Sequence, residues 1–443
     1  MSDTLFPPPP GAALERQTES DKAVPRVQRP NRGQLELRSV DLDGLLPEDH
    51  QARLVWEFVE GLDLRPLYDG IRAVAGHPGR PPIDPAILMA LWLYATLDGV
   101  GSARAVERLC EVHDAYRWLC GGVSVNYHTL ADFRVGHGDH LDRLLTSSVA
   151  TLRAAGAVDL KRVAQDGLRV RASAGKASFR REERLGRYLA EAEAQVAALR
   201  AELAADPGAG ARRQQAARQR AAEQRRQRVA RALAKLPEVE ARRRKAGVKG
   251  PARASTTDPD ARVMKMADGG FRPAFNVQLA ADTTGQAVVG VAVSDAGTDV
   301  GQLTPMVKQL QERYGTGPAE LLADGGYVDL ADIRALAGPD IGCKVYAPPP
   351  GASDPTRAER PLWRVDDAVI AEWRGRMRTP AAQAIYPERA ATIECVNAQA
   401  RNRGLRQVLV RGLAKVRAVV LWFALAHNLS RLMARRRAAA VAM

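Results

Sequence analysis

The sequence has few cysteines and histidines, and their spacing excludes several kinds of site. Its four cysteines form no Cys-x-x-Cys pair and are Cys110, Cys120, Cys343 and Cys395. This spacing argues against both a disulfide framework and a zinc site. The seven histidines form no His-Glu-x-x-His motif, so zinc hydrolase chemistry is not indicated. A Gly-x-x-x-x-Gly-Lys-Ser/Thr loop is also missing, and ATP-driven chemistry is therefore not expected.

Long apolar runs are lacking as well. The N-terminal ten residues contain the run Pro7–Pro10 but no basic segment followed by an apolar core, so they do not form a signal peptide. The most apolar late stretch, residues 416–432, contains Arg417, His427 and Arg431 and is too short and too charged to span a bilayer. We therefore expect a cytoplasmic protein with reduced thiols and no membrane partner.

The length and the local patterns predict several domains. A chain of 443 residues with 46% apolar composition exceeds one average domain. Residues 1–35 are rich in proline and polar residues, which predicts a disordered tail. Residues 36–150 carry apolar positions at helical spacing, with a helix start near Pro85. Strand patterns begin at residue 158, and the domain that they predict runs to residue 435. A charged helical insertion interrupts it at residues 178–250.

Short helices joined by glycine-containing turns predict a compact helical module at residues 36–150. Within it, residues 125–134 place Thr129 near a helix start and Asp132 and Arg134 further along the helix. These features fit a DNA recognition helix of the helix-turn-helix type. The alternative is that the segment simply packs in the core of the module.

Basic residues are concentrated in two blocks. Residues 211–250 contain 14 Lys/Arg and 3 Asp/Glu, whereas residues 389–443 contain 11 and 1. The net charge of +14 therefore comes from these blocks, and the rest of the chain is slightly acidic. Such a distribution suits a polyanion-binding surface, although arginine-rich helices can also be no more than solvated faces.

Three carboxylates occupy positions that suit a metal site. Asp166 interrupts an apolar strand pattern, Asp324 ends a short apolar run before two glycines, and Glu394 lies early in a long helical pattern. Oxygen ligands of this kind suit Mg²⁺, which Mn²⁺ can replace and Zn²⁺ should not. Two such ions can activate water and stabilise a leaving oxygen in phosphodiester cleavage. Each carboxylate also has a structural interpretation, as a turn residue or as a partner of the helix dipole.

The order of the elements predicts an α/β fold. Residues 271–282, a Thr-Thr-Gly turn and residues 287–294 have the pattern of an antiparallel hairpin. A helix at residues 302–314 is then expected before the strand that leads to Asp324. A further strand is expected at residues 343–348. This order predicts a mixed sheet flanked by helices.

The motifs and their order resemble those of bacterial insertion-sequence transposases of the DDE type. The chain is similar to families with a Tyr-Arg-Glu-Lys signature, here Tyr386, Arg389, Glu394 and, where the family has lysine, Arg401. Other segments that resemble the family are residues 79–84, 116–122, 258–262, 403–416 and 425–429. The resemblance covers most of residues 36–435. It implies a ribonuclease-H-like catalytic domain preceded by an all-α DNA-binding domain.

The resemblance also implies roles for individual residues. Asp166, Asp324 and Glu394 would be catalytic and would hold Mg²⁺ or Mn²⁺, as two ions. Arg389 and Arg401 could each hold a phosphate by a bidentate fork. Arginine in place of lysine changes that contact, because a planar fork is not a point charge.

The resemblance further implies a bacterial, nucleoid-associated enzyme that works on double-stranded DNA as a homodimer. We expect it to bind the terminal inverted repeats of its element and to catalyse metal-dependent strand cleavage and strand transfer. Two alternatives remain: a decayed or domesticated transposase that only binds DNA, and a ribonuclease-H-like nuclease without strand transfer. The basic insertion should contact DNA and become ordered on it, through Arg212, Arg213, Arg218, Arg220, Arg225, Arg226 and Arg228.

Overall fold

The computed structural model describes residues 41–73, 81–205, 212–245, 247–349 and 367–442. The predicted disordered tail at residues 1–35 lies outside the described residues. Leu42–Met443 forms one compact unit. The helical and strand-containing parts of the chain therefore belong to the same unit.

Helices joined by short loops make up the described part of the chain before residue 155. They are α1 (Gln51–Glu60), α2 (Arg65–Tyr68), α3 (Pro85–Leu97), α4 (Ala103–Val112), α5 (Asp114–Cys120), α6 (Tyr127–Gly136) and α7 (Gly138–Ala154). Helix α3 begins where the sequence predicts: Asp84 caps it by accepting from the Ala86 amide at 2.8 Å, and Pro85 takes the first helical position. Because α3 is apolar around its whole circumference, it is buried at the centre of these helices.

A mixed sheet follows. Its strands are β1 (Arg162–Arg171), β4 (Arg262–Lys265), β5 (Phe271–Asp282), β6 (Val288–Ser294), β7 (Glu320–Leu322) and β8 (Lys344–Tyr346). Strand β5 pairs antiparallel with β1 along one edge and with β4 and β6 along the other. On its other side β1 pairs parallel with β7, which pairs parallel with β8. The predicted β5–β6 hairpin is confirmed, and β1 lies in the middle of the sheet.

Helices cover the sheet. They are α10 (Leu303–Tyr314), α11 (Leu330–Ala337), α12 (Ala368–Met377), α13 (Pro380–Ile385), α14 (Cys395–Asn402) and α15 (Leu413–Ala442). Helix α15 links the sheet to the helical part of the chain. On it, Asn428 bonds the backbone of Val288 in β6 at 2.7 and 2.9 Å, and the Trp422 indole donates to the Arg134 carbonyl in α6 at 2.9 Å. Among the described helices, none combines the length and the apolar character needed to cross a membrane.

Two antiparallel helices, α8 (Glu182–Ala205) and α9 (Arg212–Lys245), form a helical hairpin between β2 (Phe179–Arg180) and β3 (Ala254–Ser255). Near these strands the hairpin has a small apolar core of its own, made of Leu185, Val229, Ala232, Leu236, Ala252 and Ala254. The four large apolar residues of α9, Val229, Leu233, Leu236 and Val239, all take part. Burial therefore fixes the base of the hairpin, whereas its outer part is rich in charged residues.

Candidate active site

Asp166 lies on β1, and Asp324 lies just beyond the end of the neighbouring strand β7. Strands β1 and β7 are parallel, and their last paired residues are Ala164 and Leu322. Asp166 and Asp324 each follow two residues later. Side chains two residues apart on a strand point to the same face, and parallel neighbours lie roughly 4.8 Å apart. The two carboxylates therefore project from one face of the sheet at the end of β7.

Each aspartate is held by backbone or amide donors. Asp166 Oδ1 accepts from the Gly167 amide at 2.8 Å, and its Oδ2 accepts from Asn397 Nδ2 at 2.8 Å. Asp324 accepts from the Gly326 amide at 2.7 Å and so caps the short 3₁₀ turn Gly325–Tyr327. Asp324 therefore acts as a turn residue and also lies near Asp166, so the two interpretations of this residue are compatible. These bonds fix the orientation of both carboxylates.

The environment of Asp166 opposes its negative charge. Burial raises the pKa of the Asp166 carboxyl, and the charge of Asp324 raises this pKa further. The Gly167 amide, Arg389 and Asn397 act in the opposite direction, but the net shift of the pKa is upward. Burial and a neighbouring carboxylate disfavour the charged form of a carboxyl group, whereas an adjacent positive charge favours it. The pair is therefore suited chemically to a divalent cation.

Glu394 is paired with Arg389, on which the charge of Asp166 also acts. A π-helical turn, Ala390–Glu394, precedes α14. Residues five apart are neighbours in a π-helix, and such turns are frequent at functional sites. Accordingly, an Arg389 guanidinium nitrogen lies 2.6 Å from Glu394 Oε1, and the Glu394 side chain is 52% exposed. No group of three carboxylate, histidine or cysteine side chains within the described ranges is arranged to hold a metal ion.

Arg389 connects the two halves of the site. Its guanidinium lies 5.8 Å from the centroid of the Tyr386 ring, a distance at which a cation is attracted to an aromatic face. Burial opposes the charge of Arg389, but Tyr386, Asp166 and Glu394 together raise the pKa of its guanidinium. A single arginine thus balances the charges of Asp166 and Glu394. Arg401 lies exposed in the last turn of α14, and its side chain bonds to no described residue.

The predicted arginines of α9 are partly neutralised within the protein. Arg212 and Arg213 begin the helix, but their side chains lie outside the described part. Arg220 donates to the carbonyl of Ala216 in its own helix. Burial, Arg411 and Arg225 lower the pKa of Arg228. The remaining three are ion-paired: Arg218 with Glu202, Arg225 with Glu191 and Arg226 with Glu223.

Sequence reasoning missed a polar cluster on the other face of β1 and β5. Gln165, Asn276 and Gln278 are buried there. Asp299 accepts from Asn276 at 2.8 Å, from Gln278 at 2.6 Å and from Arg169 at 2.8 Å. The Tyr327 hydroxyl donates to Gln278 at 2.6 Å. The signal in the sequence was the alternation of amide residues with apolar ones in β5. Asn397 was missed too, because α14 carries other polar residues that look equivalent.

Two family models match the chain, one towards each end. Residues 40–135 match a transposase domain (DUF772), and residues 363–433 match a transposase DDE domain. The second range contains Tyr386, Arg389, Glu394 and Arg401, whereas Asp166 and Asp324 lie between the two ranges. No curated protein and no solved structure matches the chain. The two matches support an insertion-sequence transposase of the DDE type.

Proposed function

We propose that the protein binds the terminal inverted repeats of its own element and catalyses metal-dependent cleavage and transfer of DNA strands. The observation that carries the proposal is the placement of Asp166 beside Asp324, with burial and mutual repulsion raising the pKa of Asp166. The match of residues 363–433 to a transposase DDE domain supports it. That family implies a divalent metal, and we propose Mg²⁺, with Mn²⁺ as a substitute.

We further propose a ribonuclease-H-like catalytic domain at residues 158–435 and a DNA-binding domain at residues 36–150. The central position of β1, with an antiparallel neighbour on one side and two parallel strands on the other, supports the first. The match of residues 40–135 to a transposase domain supports the second. Both domains fall within the same compact unit, so the DNA-binding helices would be held at a fixed position relative to the carboxylates.

Asp166, Asp324 and Glu394 would hold the metal. Two divalent ions between such carboxylates would polarise the scissile phosphate and lower the pKa of an attacking water or 3′-hydroxyl. Asn397 and the Gly167 amide keep the Asp166 carboxylate in one orientation, so that it needs little reorganisation to act as a ligand. Asp324 is oriented in the same way by the Gly326 amide.

Arg389 would have two roles in turn. In the free protein it neutralises Glu394 and balances Asp166. We propose that it exchanges the Glu394 carboxylate for a DNA phosphate, for which its planar fork is well suited. The exchange releases Glu394 to join the two aspartates. Arg401, exposed further along α14, would hold a second phosphate.

The remaining DNA contacts would come from the arginines of α9, and the active species would be a homodimer on two element ends. The ion pairs of Arg218 and Arg225 with α8, and that of Arg226 within α9, must open for these side chains to reach phosphates. Exposed pairs of this kind are worth only about 0–1 kcal/mol. Phosphate contacts can therefore replace them.

The proposal is tested by incubating the protein with a labelled duplex that carries an element end. Cleavage is expected with Mg²⁺ or Mn²⁺ and not with Zn²⁺ or chelator. Asp324→Asn and Glu394→Gln should abolish cleavage while leaving DNA binding nearly unchanged, because each removes a metal ligand but little volume. Asp340→Asn is the matched control, since Asp340 is an exposed carboxylate on the same part of the chain.

The same assay separates the alternative functions. If the protein binds element ends specifically but cleaves them with none of the metal ions, it is a decayed or domesticated transposase that only binds DNA. Cleavage without joined products, when target DNA is supplied, would mean a nuclease. The presence of both predicted aspartates at one level of the sheet favours the full reaction over the first alternative.

A further inference from the structure

A large open groove lies at the base of the α8–α9 hairpin, separate from the arginines already discussed. Its volume is about 1180 Å³, and its walls are the C-terminal end of α9, residues 248–253 and residues 295–301. Small-molecule sites occupy roughly 300–1,000 Å³. The groove is larger than that and open to solvent, as a surface for a polymer would be.

Basic side chains outnumber acidic ones by eight to two in the lining of the groove. Five of them are exposed and have no carboxylate partner among the described residues: Lys176, Arg181, Lys245, Lys249 and Arg253. By contrast, Arg218, Arg225 and Arg226 further along the hairpin are all ion-paired. Five cations that are available without breaking an ion pair therefore lie together in the groove. Groups of like charge on low-dielectric walls attract a polyanion.

Part of the groove wall is fixed in advance. The buried Asp295 carboxylate bridges Arg242 at 2.6 Å and Arg262 at 3.0 Å, so it ties α9 to β4. Arg243 donates to the carbonyls of Lys249 and Gly250 at 2.8 and 3.2 Å. These bonds hold the loop that carries Lys249 against α9. A ligand would therefore meet cations on a preformed surface and would have to order little of it.

The apolar part of the lining indicates which form of nucleic acid fits. Val248, Val263 and Val300 are 49%, 43% and 43% exposed, whereas the aromatic residue of the lining, Phe179, is buried. Sites for single strands combine basic residues with aromatic side chains on which bases stack. Without an accessible ring, the groove suits the outer sugar–phosphate surface of a duplex.

The groove is also connected to the candidate active site. Asp329, which lines it, follows the turn Gly325–Tyr327 that Asp324 caps. Asp299 lies between the lining residues Thr298 and Val300, and it is bonded to Arg169 on β1, the strand of Asp166. Two short covalent and hydrogen-bonded paths therefore lead from the groove to the two aspartates.

We propose that this groove binds the backbone of duplex DNA and positions the duplex relative to Asp166 and Asp324. This inference rests on the proposed function, because it assigns a DNA surface to the same enzyme. The groove makes its contacts through cations that are free in the unbound protein. It thus supplies salt-sensitive affinity in addition to that of the α9 arginines.

The test compares two triple variants with the same loss of charge in the full-length protein. The groove variant is Lys245→Gln, Lys249→Gln and Arg253→Gln, and the matched control is Arg218→Gln, Arg225→Gln and Arg226→Gln. Binding to a random-sequence duplex and to the corresponding single strand is measured across a salt series, and thermal melting checks folding. The groove variant should weaken duplex binding and reduce the log–log salt slope by roughly 0.9 per lost contact, about 2.7 in all.

The outcomes separate the groove from the proposed function. The control should change the slope less, and single-strand binding should change little in the groove variant. The assignment is overturned if the folded groove variant keeps the wild-type duplex affinity and slope, or if it loses single-strand binding instead. Wild-type cleavage of an element end is measured in parallel. If the wild type does not cleave, the proposed function is contradicted, but the binding result for the groove still stands. If the wild type cleaves and the groove variant binds duplex DNA as the wild type does, only the assignment of the groove is contradicted.

Discussion

At the scale of single residues, the charge of Asp166 should destabilise the free protein. Burial and Asp324 raise its pKa, so the folded state binds this proton more tightly than the unfolded state. Stability is then lost as pH rises above the unfolded pKa of about 4, until the folded carboxyl has ionised. At neutral pH, Asp166→Asn should therefore have a higher Tm than the wild type when no metal is present.

Thermal melting as a function of pH and Mg²⁺ checks this prediction. The difference in Tm should vanish below about pH 4, where the carboxyl is protonated in both states. Added Mg²⁺ should raise the Tm of the wild type more than that of Asp166→Asn, because a ligand stabilises the state that binds it. A lower Tm for Asp166→Asn than for the wild type at neutral pH would show that the charge of Asp166 does not destabilise the folded protein.

Asn397 should tune the acid side of the pH–activity profile. Its amide donates to Asp166 and thereby favours the ionised form that a metal requires. Asn397→Ala removes this donor, so the pKa of Asp166 should rise further and the acid limb of the cleavage profile should move to higher pH. Asn402→Ala, an exposed change on the same helix, is the control. An acid limb at the wild-type position in Asn397→Ala would limit Asn397 to a packing role.

Some of these residues were predictable from the sequence and others were not. Asp166 and Asp324 stand out because a carboxylate is unusual within an apolar strand pattern or directly after one, and the parallel pairing of β1 with β7 brings them to one level. The pairing of Arg389 with Glu394 depends on a π-helical turn, which no residue pattern specifies. Asn397 acquires its role only through the packing of α14 on β1.

At the scale of elements, β1 requires glycine next to its aspartate. A Cβ atom on Gly167 would overlap the Asp299 carboxylate and lie 2.8 Å from Gln278 Nε2. Gly167→Ala should therefore lower the free energy of unfolding by about 1–3 kcal/mol and disturb the strand that carries Asp166. Denaturant unfolding measures this. Gly175→Ala, whose Cβ would meet nothing within 4 Å, should be nearly neutral, and equal effects of the two changes would contradict the account.

The α8–α9 hairpin provides a test of the predicted DNA contacts outside the groove. Replacing Arg218, Arg220, Arg225, Arg226 and Arg228 with glutamine should weaken binding to specific and nonspecific duplexes alike. The salt slope should fall by at most roughly 0.9 per residue, and by less where an ion pair already occupies the arginine. Titrations at several salt concentrations measure both quantities. Unchanged affinity and slope together with lost self-association would identify the hairpin as an oligomerisation arm.

The elements themselves follow from the sequence more closely than their contacts do. The helix start at Pro85, the β5–β6 hairpin and the helix α10 appear where their patterns predict them. The apolar core at the base of the hairpin was not anticipated, because its members come from α8, α9 and residues 252–254. Contacts between segments far apart in the chain are set by the packing of the whole fold, which local patterns do not specify.

At the scale of the whole molecule, α15 joins the proposed DNA-binding helices to the sheet. It contacts α3, α6 and α7 on one side and β6 on the other. On α15, Trp422 bonds to α6 and Asn428 bonds to β6. Binding of an element end by the N-terminal helices would therefore place the duplex at a defined distance from Asp166 and Asp324. This arrangement supports a protein in which recognition and cleavage act as one unit.

Cleavage of an element-end duplex by the wild type and by Asp166→Asn, with Mg²⁺ and with chelator, tests the central claim most directly. The account predicts strand cleavage by the wild type that depends on Mg²⁺, and intact DNA with Asp166→Asn although that variant is folded and binds the same duplex. Cleavage by Asp166→Asn at the wild-type rate, or full cleavage by the wild type in excess chelator, would contradict it.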